Sequence, residues 1–168
     1  MVFETERDMY QKIADKIKKF LWKRIEEERV EISPKHYDRI FYNITDEMID
    51  HNGHVNFRFL CVFFENGFHE YMKKRHTSYD FLMREFGKTT FFRHQEINYQ
   101  GELKLGDVGN ILTGVSEIRD TSFTVHQIIE DKNGKPLVLH KIIVVMVDIS
   151  NKQKSHIPDV IRERIISE

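Results

Sequence analysis

Asp50-His51-Asn52-Gly53-His54-Val55-Asn56 runs directly into Phe57-Arg58-Phe59-Leu60-Cys61-Val62-Phe63-Phe64-Glu65, and this junction organises the whole chain. Asp50 to Gly53 are polar, turn-prone residues that reverse a chain rather than extend a strand. Asn56 stands where an N-cap would, offering a side-chain oxygen to the first unpaired N–H groups of a helix. From Phe57 to about Arg75 apolar residues recur at helical spacing: Leu60, Phe63, Phe64, Phe68 and Tyr71 or Met72. Gly67 interrupts this helix at a cost of about 1 kcal/mol relative to Ala. A close approach by another element would explain it. The Phe residues at 57, 59, 63, 64 and 68 read first as bulky core, and second as an apolar wall for a long or aromatic ligand.

Upstream of the junction, His36 to Thr45 is strand-like, with Tyr37, Ile40, Phe41, Tyr42 and Ile44. Earlier still, Glu4 to Glu28 lacks Pro and Gly and places Tyr10, Ile13, Ile17, Phe20, Leu21 and Ile25 on one face, which predicts an amphipathic helix. That face would pack on the domain or on a second subunit; a membrane-surface helix is the other reading. The expected organisation is an N-terminal helix and connector over 1–33 and a main domain over 34–168.

Downstream, a short helix is predicted at Tyr79–Phe86, stopped by Gly87. The period then switches to two, with strands at about Thr89–Tyr99, Val108–Ile118, Ser122–Ile129 and Leu137–Ile149. Asn133-Gly134 predicts a tight hairpin whose positive φ angles both residues supply. Ile142 to Val147 is apolar on both faces, so it should be covered on both faces or paired at a subunit interface. Pro158 opens a C-terminal helix bearing Ile161 and Ile165. One long apolar helix followed by a meander of strands predicts an α+β fold with an antiparallel sheet wrapped around that helix.

Composition narrows the function classes. The 168 residues carry a net charge of −1, from 26 basic and 27 acidic side chains, so no global field draws the chain to nucleic acid or an anionic membrane. No apolar run is long enough for a membrane span. The N-terminus does not read as a secretory signal, and the single Cys61 forms no internal disulfide, so the expected location is cytoplasmic. Cys61 itself reads as a small core residue.

Two carboxylates are candidates for chemistry. Asp50 lies in the loop leading to a helix start, where free N–H groups and partial positive charge can polarise a carbonyl. A carboxylate there could act as nucleophile or as general base on water. Glu65 sits between Phe64 and Asn66, at the edge of the apolar stripe or buried within it. By pattern alone a loop Asp is more often a turn residue, and a helix Glu is more often solvated. Asp50, His51 and His54 lack the further ligands of a metal site, so no metal is expected.

Asp-x-x-Gly-His-Val-Asn at 50–56 resembles the motif of the hotdog-fold acyl-CoA thioesterases of the 4-hydroxybenzoyl-CoA thioesterase type. Phe63-Phe64-Glu65, Glu96-Ile97-Asn98-Tyr99, Leu105-Gly106-Asp107, Ser122-Phe123-Thr124-Val125, Asn133-Gly134-Lys135 and Val144 to Asp148 resemble later parts of that family in the same order. The resemblance implies a hotdog fold and hydrolysis of an acyl-CoA thioester, with coenzyme A as part of the substrate and no separate cofactor. It places Asp50 as the catalytic carboxylate, and Glu65 at the helix Glu that is the catalytic group in some relatives and structural in others. His54, Val55, Asn56 and Phe57 would meet the substrate, and backbone N–H groups near Val55 to Phe57 would bind the thioester oxygen. It further implies a homodimer or homotetramer with the site between subunits. Phe57, Gly67, Leu139 and His140 depart from the family pattern. A non-catalytic acyl-CoA-binding module is the alternative. A hotdog hydratase fits less well, because those enzymes pair an Asp and a His five apart, not four.

Overall fold

The computed structural model describes residues 37–166; the predicted N-terminal helix and connector lie outside them. The described chain runs β1 (Asp38–Asn43), a 3-10 turn (Asp46–Met48), α1 (Phe57–Lys74), α2 (Tyr79–Phe86), β2 (Lys88–Tyr99), β3 (Val108–Ile118), β4 (Ser122–Asp131), β5 (Pro136–Asp148) and α3 (Asp159–Ile166). Every strand pairing is antiparallel, and the sheet order is β1-β3-β4-β5-β2. A long helix lies on one face of this sheet, the hotdog arrangement that the sequence implied.

Helix α1 buries Leu60, Phe63, Phe64, Gly67, Phe68, Tyr71 and Met72, a stripe at spacings of three and four. Its N-terminal half packs with Tyr42, Ile44, Val55, Leu103, Ile111, Ile129 and Val138. Its C-terminal half packs with Leu82, Phe123, Ile142, Val144, Met146, Ile161 and Ile165. Gly67 marks the closest approach of helix to sheet. A Cβ there would lie 2.8 Å from Thr113 Oγ1 and 2.9 Å from Gln127 Nε2.

Three register slips shape the sheet, one of them between β4 and β5 at Ile129 and Glu130. The β2–β5 register slips at Arg93, so Thr90 and Phe92 face α1 before it, and Gln95 and Ile97 after it. The β3–β4 register slips in the same way at Ser116.

One expectation is corrected. In the β4–β5 hairpin only Gly134 takes a positive φ, of 81°; Asn133 does not. The apolar β5 lies inside the sheet between β4 and β2. The long free edge belongs to β2, where no strand of the described residues pairs on the outer side.

Candidate active site

Asp50 is half-buried at the start of a closed turn. Its backbone N–H donates to His54 O at 2.8 Å, and Gly53 N–H donates to Asp50 O at 3.0 Å. Gly53 takes φ +78°, a conformation that disfavours a side chain. One carboxylate oxygen, Oδ1, accepts from Asn52 N at 2.8 Å and His54 N at 3.3 Å, leaving Oδ2 without a backbone donor. The Asn52 N–H, then the His54 N–H and the nearby His51, hold this carboxyl below its ordinary pKa. Asp50 is therefore ionised at neutral pH, the form a nucleophile or general base requires.

The turn delivers the chain to α1. Asn56 Oδ1 accepts from Arg58 N at 3.0 Å, which makes Asn56 the N-cap as its position predicted. The expected row of oxyanion donors is corrected here. Val55 N–H is already given to Leu103 O at 2.9 Å, and Asn56 N–H to Met48 O at 2.8 Å. Among Val55, Asn56 and Phe57, only the Phe57 N–H has no acceptor among the described residues. It opens the helix, where backbone dipoles add partial positive charge. The Phe57 side chain is 54% exposed beside it.

The remaining candidates divide between two places. His54 stays with the turn: its Nε2 is 3.4 Å from Glu102 Oε1, and Glu102 in turn meets Lys104 Nζ at 2.8 Å. The loop after β2 thus braces the Asp50 turn through Glu102 and Leu103. Sequence reading passed over both, and their only trace was proximity to Leu105-Gly106-Asp107. Glu65 stands apart, two turns into α1. It is exposed on the edge of the apolar stripe, with His69 Nε2 at 3.9 Å and Cys61 one turn back. No contact links it to Asp50. Cys61 is half-buried, and burial followed by the Glu65 charge pushes its thiol pKa up, so it is held as an unreactive thiol. Among the described residues no cluster of His, Cys, Asp and Glu is placed to hold a metal, and no helix is long and apolar enough to cross a membrane.

An ionised carboxylate with one oxygen free of backbone donors, on the turn that leads to a helix-opening N–H, carries the groups for attack at a polarised carbonyl. Compared with known families, residues 44–165 match the thioesterase-like superfamily. The chain belongs to that superfamily. It is accordingly a hydrolase acting on thioesters. No curated protein sequence matches this thioesterase. Solved structures do match it in fold. The protein SAV2348 from Staphylococcus aureus, solved in complex with CoA, superposes with a TM-score of 0.72 at 16% identity, covering 80% of this chain and 85% of that one. Slr0204 from Synechocystis, a 1,4-dihydroxy-2-naphthoyl-CoA thioesterase, gives 0.69 at 13% identity over 77% and 95%. An acyl-ACP thioesterase from Bacteroides thetaiotaomicron gives 0.71 at 15% identity over 79% and 54%. At such identities the likeness concerns the fold.

Proposed function

We propose that this thioesterase hydrolyses acyl-CoA thioesters, with Asp50 as the reacting carboxylate and the Phe57 N–H as the donor to the thioester oxygen. The observation that carries this reading is that one chain turn bears both Asp50 Oδ2, free of backbone donors, and, seven residues on, a helix-opening N–H with no acceptor among the described residues. The CoA complex of the structural neighbour SAV2348 supports the CoA half of the substrate.

In this reading Asp50 adds to the carbonyl carbon, or takes a proton from a water that adds instead. The oxygen gains negative charge and is held by the Phe57 N–H, a contact that strengthens as the charge develops. The C–S bond breaks and coenzyme A leaves as a thiolate. On the general-base route the proton held by Asp50 passes to that thiolate; on the nucleophilic route the thiolate is protonated from solvent and one water hydrolyses the Asp50 anhydride to the free acid, which restores the carboxylate. His54 and Asn56 hold the turn and the cap, and Phe57 flanks the entering acyl group. A second copy of the chain pairs along the free edge of β2, whose Phe91 is 59% exposed; a monomer in sedimentation equilibrium would remove that element.

The test is thiol release from a panel of acyl-CoAs of varied length by wild type, Asp50→Asn and Glu65→Gln. Turnover that survives Asp50→Asn but is lost in Glu65→Gln would move the chemistry to Glu65. No turnover of any acyl-CoA would overturn the proposal.

A further inference from the structure

The inner face of the sheet carries a row of polar side chains where apolar ones would be expected. Thr113, Gln127 and His140 stand opposite one another across β3, β4 and β5, and all three are buried. They divide the two apolar clusters, with Ile111, Ile129 and Val138 on one side and Val125 and Ile142 on the other. Burying such groups beneath a helix is costly unless each is paired.

The pairing has a direction. Gln127 Nε2 donates to the Phe64 carbonyl of α1 at 2.7 Å and lies 3.1 Å from Thr113 Oγ1. Gln127 Oε1 is therefore the acceptor facing His140 Nδ1 at 3.0 Å, so the ring proton sits on Nδ1. Burial brings the His140 pKa down to about 4, so the ring is neutral and Nε2 is a bare lone pair. In the structure Gln95 Oε1 lies 3.2 Å from that Nε2, so two acceptors face each other unless the amide is turned over. A lone pair needs a donor, so chemistry places the amide nitrogen toward His140 and turns the carbonyl oxygen away. Gln95 is exposed on β2, on the face toward α1, and its other amide atom has no protein partner among the described residues. Further along that face Ile97 packs with the cluster of Leu60 and Phe63, and Tyr99 lies close to Cys61. The margin between α1 and β2 thus leads from Gln95 toward the helix start.

We propose that Gln95 is a specificity-determining residue whose carbonyl oxygen accepts a hydrogen bond from a hydroxyl group on the acyl chain. This rests on the reading of Asp50 and Phe57 as the thioester site. The His140 ring packs on Phe64, centroids 4.0 Å apart and tilted by 37°, and Gln95 reaches that ring, which sets Gln95 level with Phe64. Phe64 is roughly 10 Å along α1 from Phe57 at 1.5 Å per residue. An extended chain advances roughly 1.2 Å per bond. The hydroxyl therefore stands about eight bonds from the carbonyl, near the far end of a medium-chain acyl group.

The experiment compares kcat/KM for octanoyl-CoA with 8-hydroxyoctanoyl-CoA, and for decanoyl-CoA with 10-hydroxydecanoyl-CoA, in wild type and Gln95→Met. The wild type favours the hydroxylated member of at least one pair by roughly five- to tenfold, the net worth of one hydrogen bond. In Gln95→Met, shown folded by its thermal transition, that ratio falls to about 1, a change a purely structural role would not produce. A wild-type ratio at or below 1 for both pairs overturns the proposal whether or not the variant folds. So does an unchanged ratio in the folded variant. Turnover of other acyl-CoAs but none of these four overturns this inference alone; no turnover of any acyl-CoA overturns the thioester site as well.

Discussion

Asp50 and Asp131 close the same five-residue turn. The segments are Asp50-His51-Asn52-Gly53-His54 and Asp131-Lys132-Asn133-Gly134-Lys135. In the second, as in the first, Oδ1 accepts from the N–H groups two and four residues on, here at 2.8 and 2.9 Å. Gly134 N–H donates to Asp131 O at 3.0 Å, and Asp131 N–H donates to Lys135 O at 2.9 Å. Both carboxyls are held below their ordinary pKa by these backbone donors. The turn alone accounts for an Asp at each position. What differs is the continuation: Asp131 leads into β5, while Asp50 leads to the open N–H of Phe57. Asp50→Ala and Asp131→Ala should therefore lower Tm by similar amounts in a thermal melt. A much larger loss at one site would show that the two turns are not equivalent.

The Asp50 carboxyl must be ionised to react, and its hydrogen bonds keep its pKa below the ordinary 3.8. The proposed mechanism predicts that kcat/KM does not decline on the acid side from neutral pH until below the ordinary carboxylate value of 3.8, where Asp50 is protonated. The same depression stabilises the fold above the unfolded-state pKa, and that contribution disappears as pH falls through the folded value. An acid limb centred above pH 6 in a pH–rate profile would point to a different base.

Gly67 faces a crowded wall. An Ala would gain about 1 kcal/mol of helix propensity. Its Cβ, however, would sit within 2.8 Å of Thr113 Oγ1 and 3.0 Å of Ile111 Cγ2, both on short buried side chains. Overpacking of this kind costs about 1–3 kcal/mol, so Gly67→Ala should be net destabilising in denaturant unfolding. A stabilised variant would mean that α1 lifts from the sheet without cost.

His140 is buried as a neutral ring, with its pKa lowered from 6.5 to about 4. The unfolded chain binds a proton at about pH 6.5 that the folded chain refuses until about pH 4. Stability is full above that window and declines as pH falls through it, by on the order of 3 kcal/mol for this group. Replacing His140 with Gln should flatten the decline, read from urea midpoints at pH 7 and pH 4.5. Parallel curves would show that the loss arises elsewhere.

Much of this architecture is legible in the residues, and the exceptions share a physical reason. Helical spacing from Leu60 to Met72 and the cap at Asn56 are local patterns, and they foretell α1 closely. Gly87 ends α2 in the left-handed conformation its position suggests. The bulges at Arg93 and Ser116 left no such trace, because one extra residue inside a strand is visible only against its partner. The same holds for the oxyanion donors. Which N–H stays open depends on Leu103 and Met48, carbonyls far along the chain or brought back by the 3-10 turn. Gln127 and His140 did leave a sign, as polar residues at inward positions of otherwise apolar strands. Their pairing required the sheet order.

The central claim is that the Asp50 carboxylate performs chemistry as well as closing a turn. Asparagine keeps the Oδ1 acceptor and removes only the charge, so Asp50→Asn and Asp131→Asn should both fold with near-native Tm. Steady-state thiol release from the best acyl-CoA substrate then decides. The account predicts a fall in kcat of roughly 10²–10⁴-fold in Asp50→Asn and an unchanged kcat in Asp131→Asn. Wild-type kcat in a folded Asp50→Asn protein would contradict it.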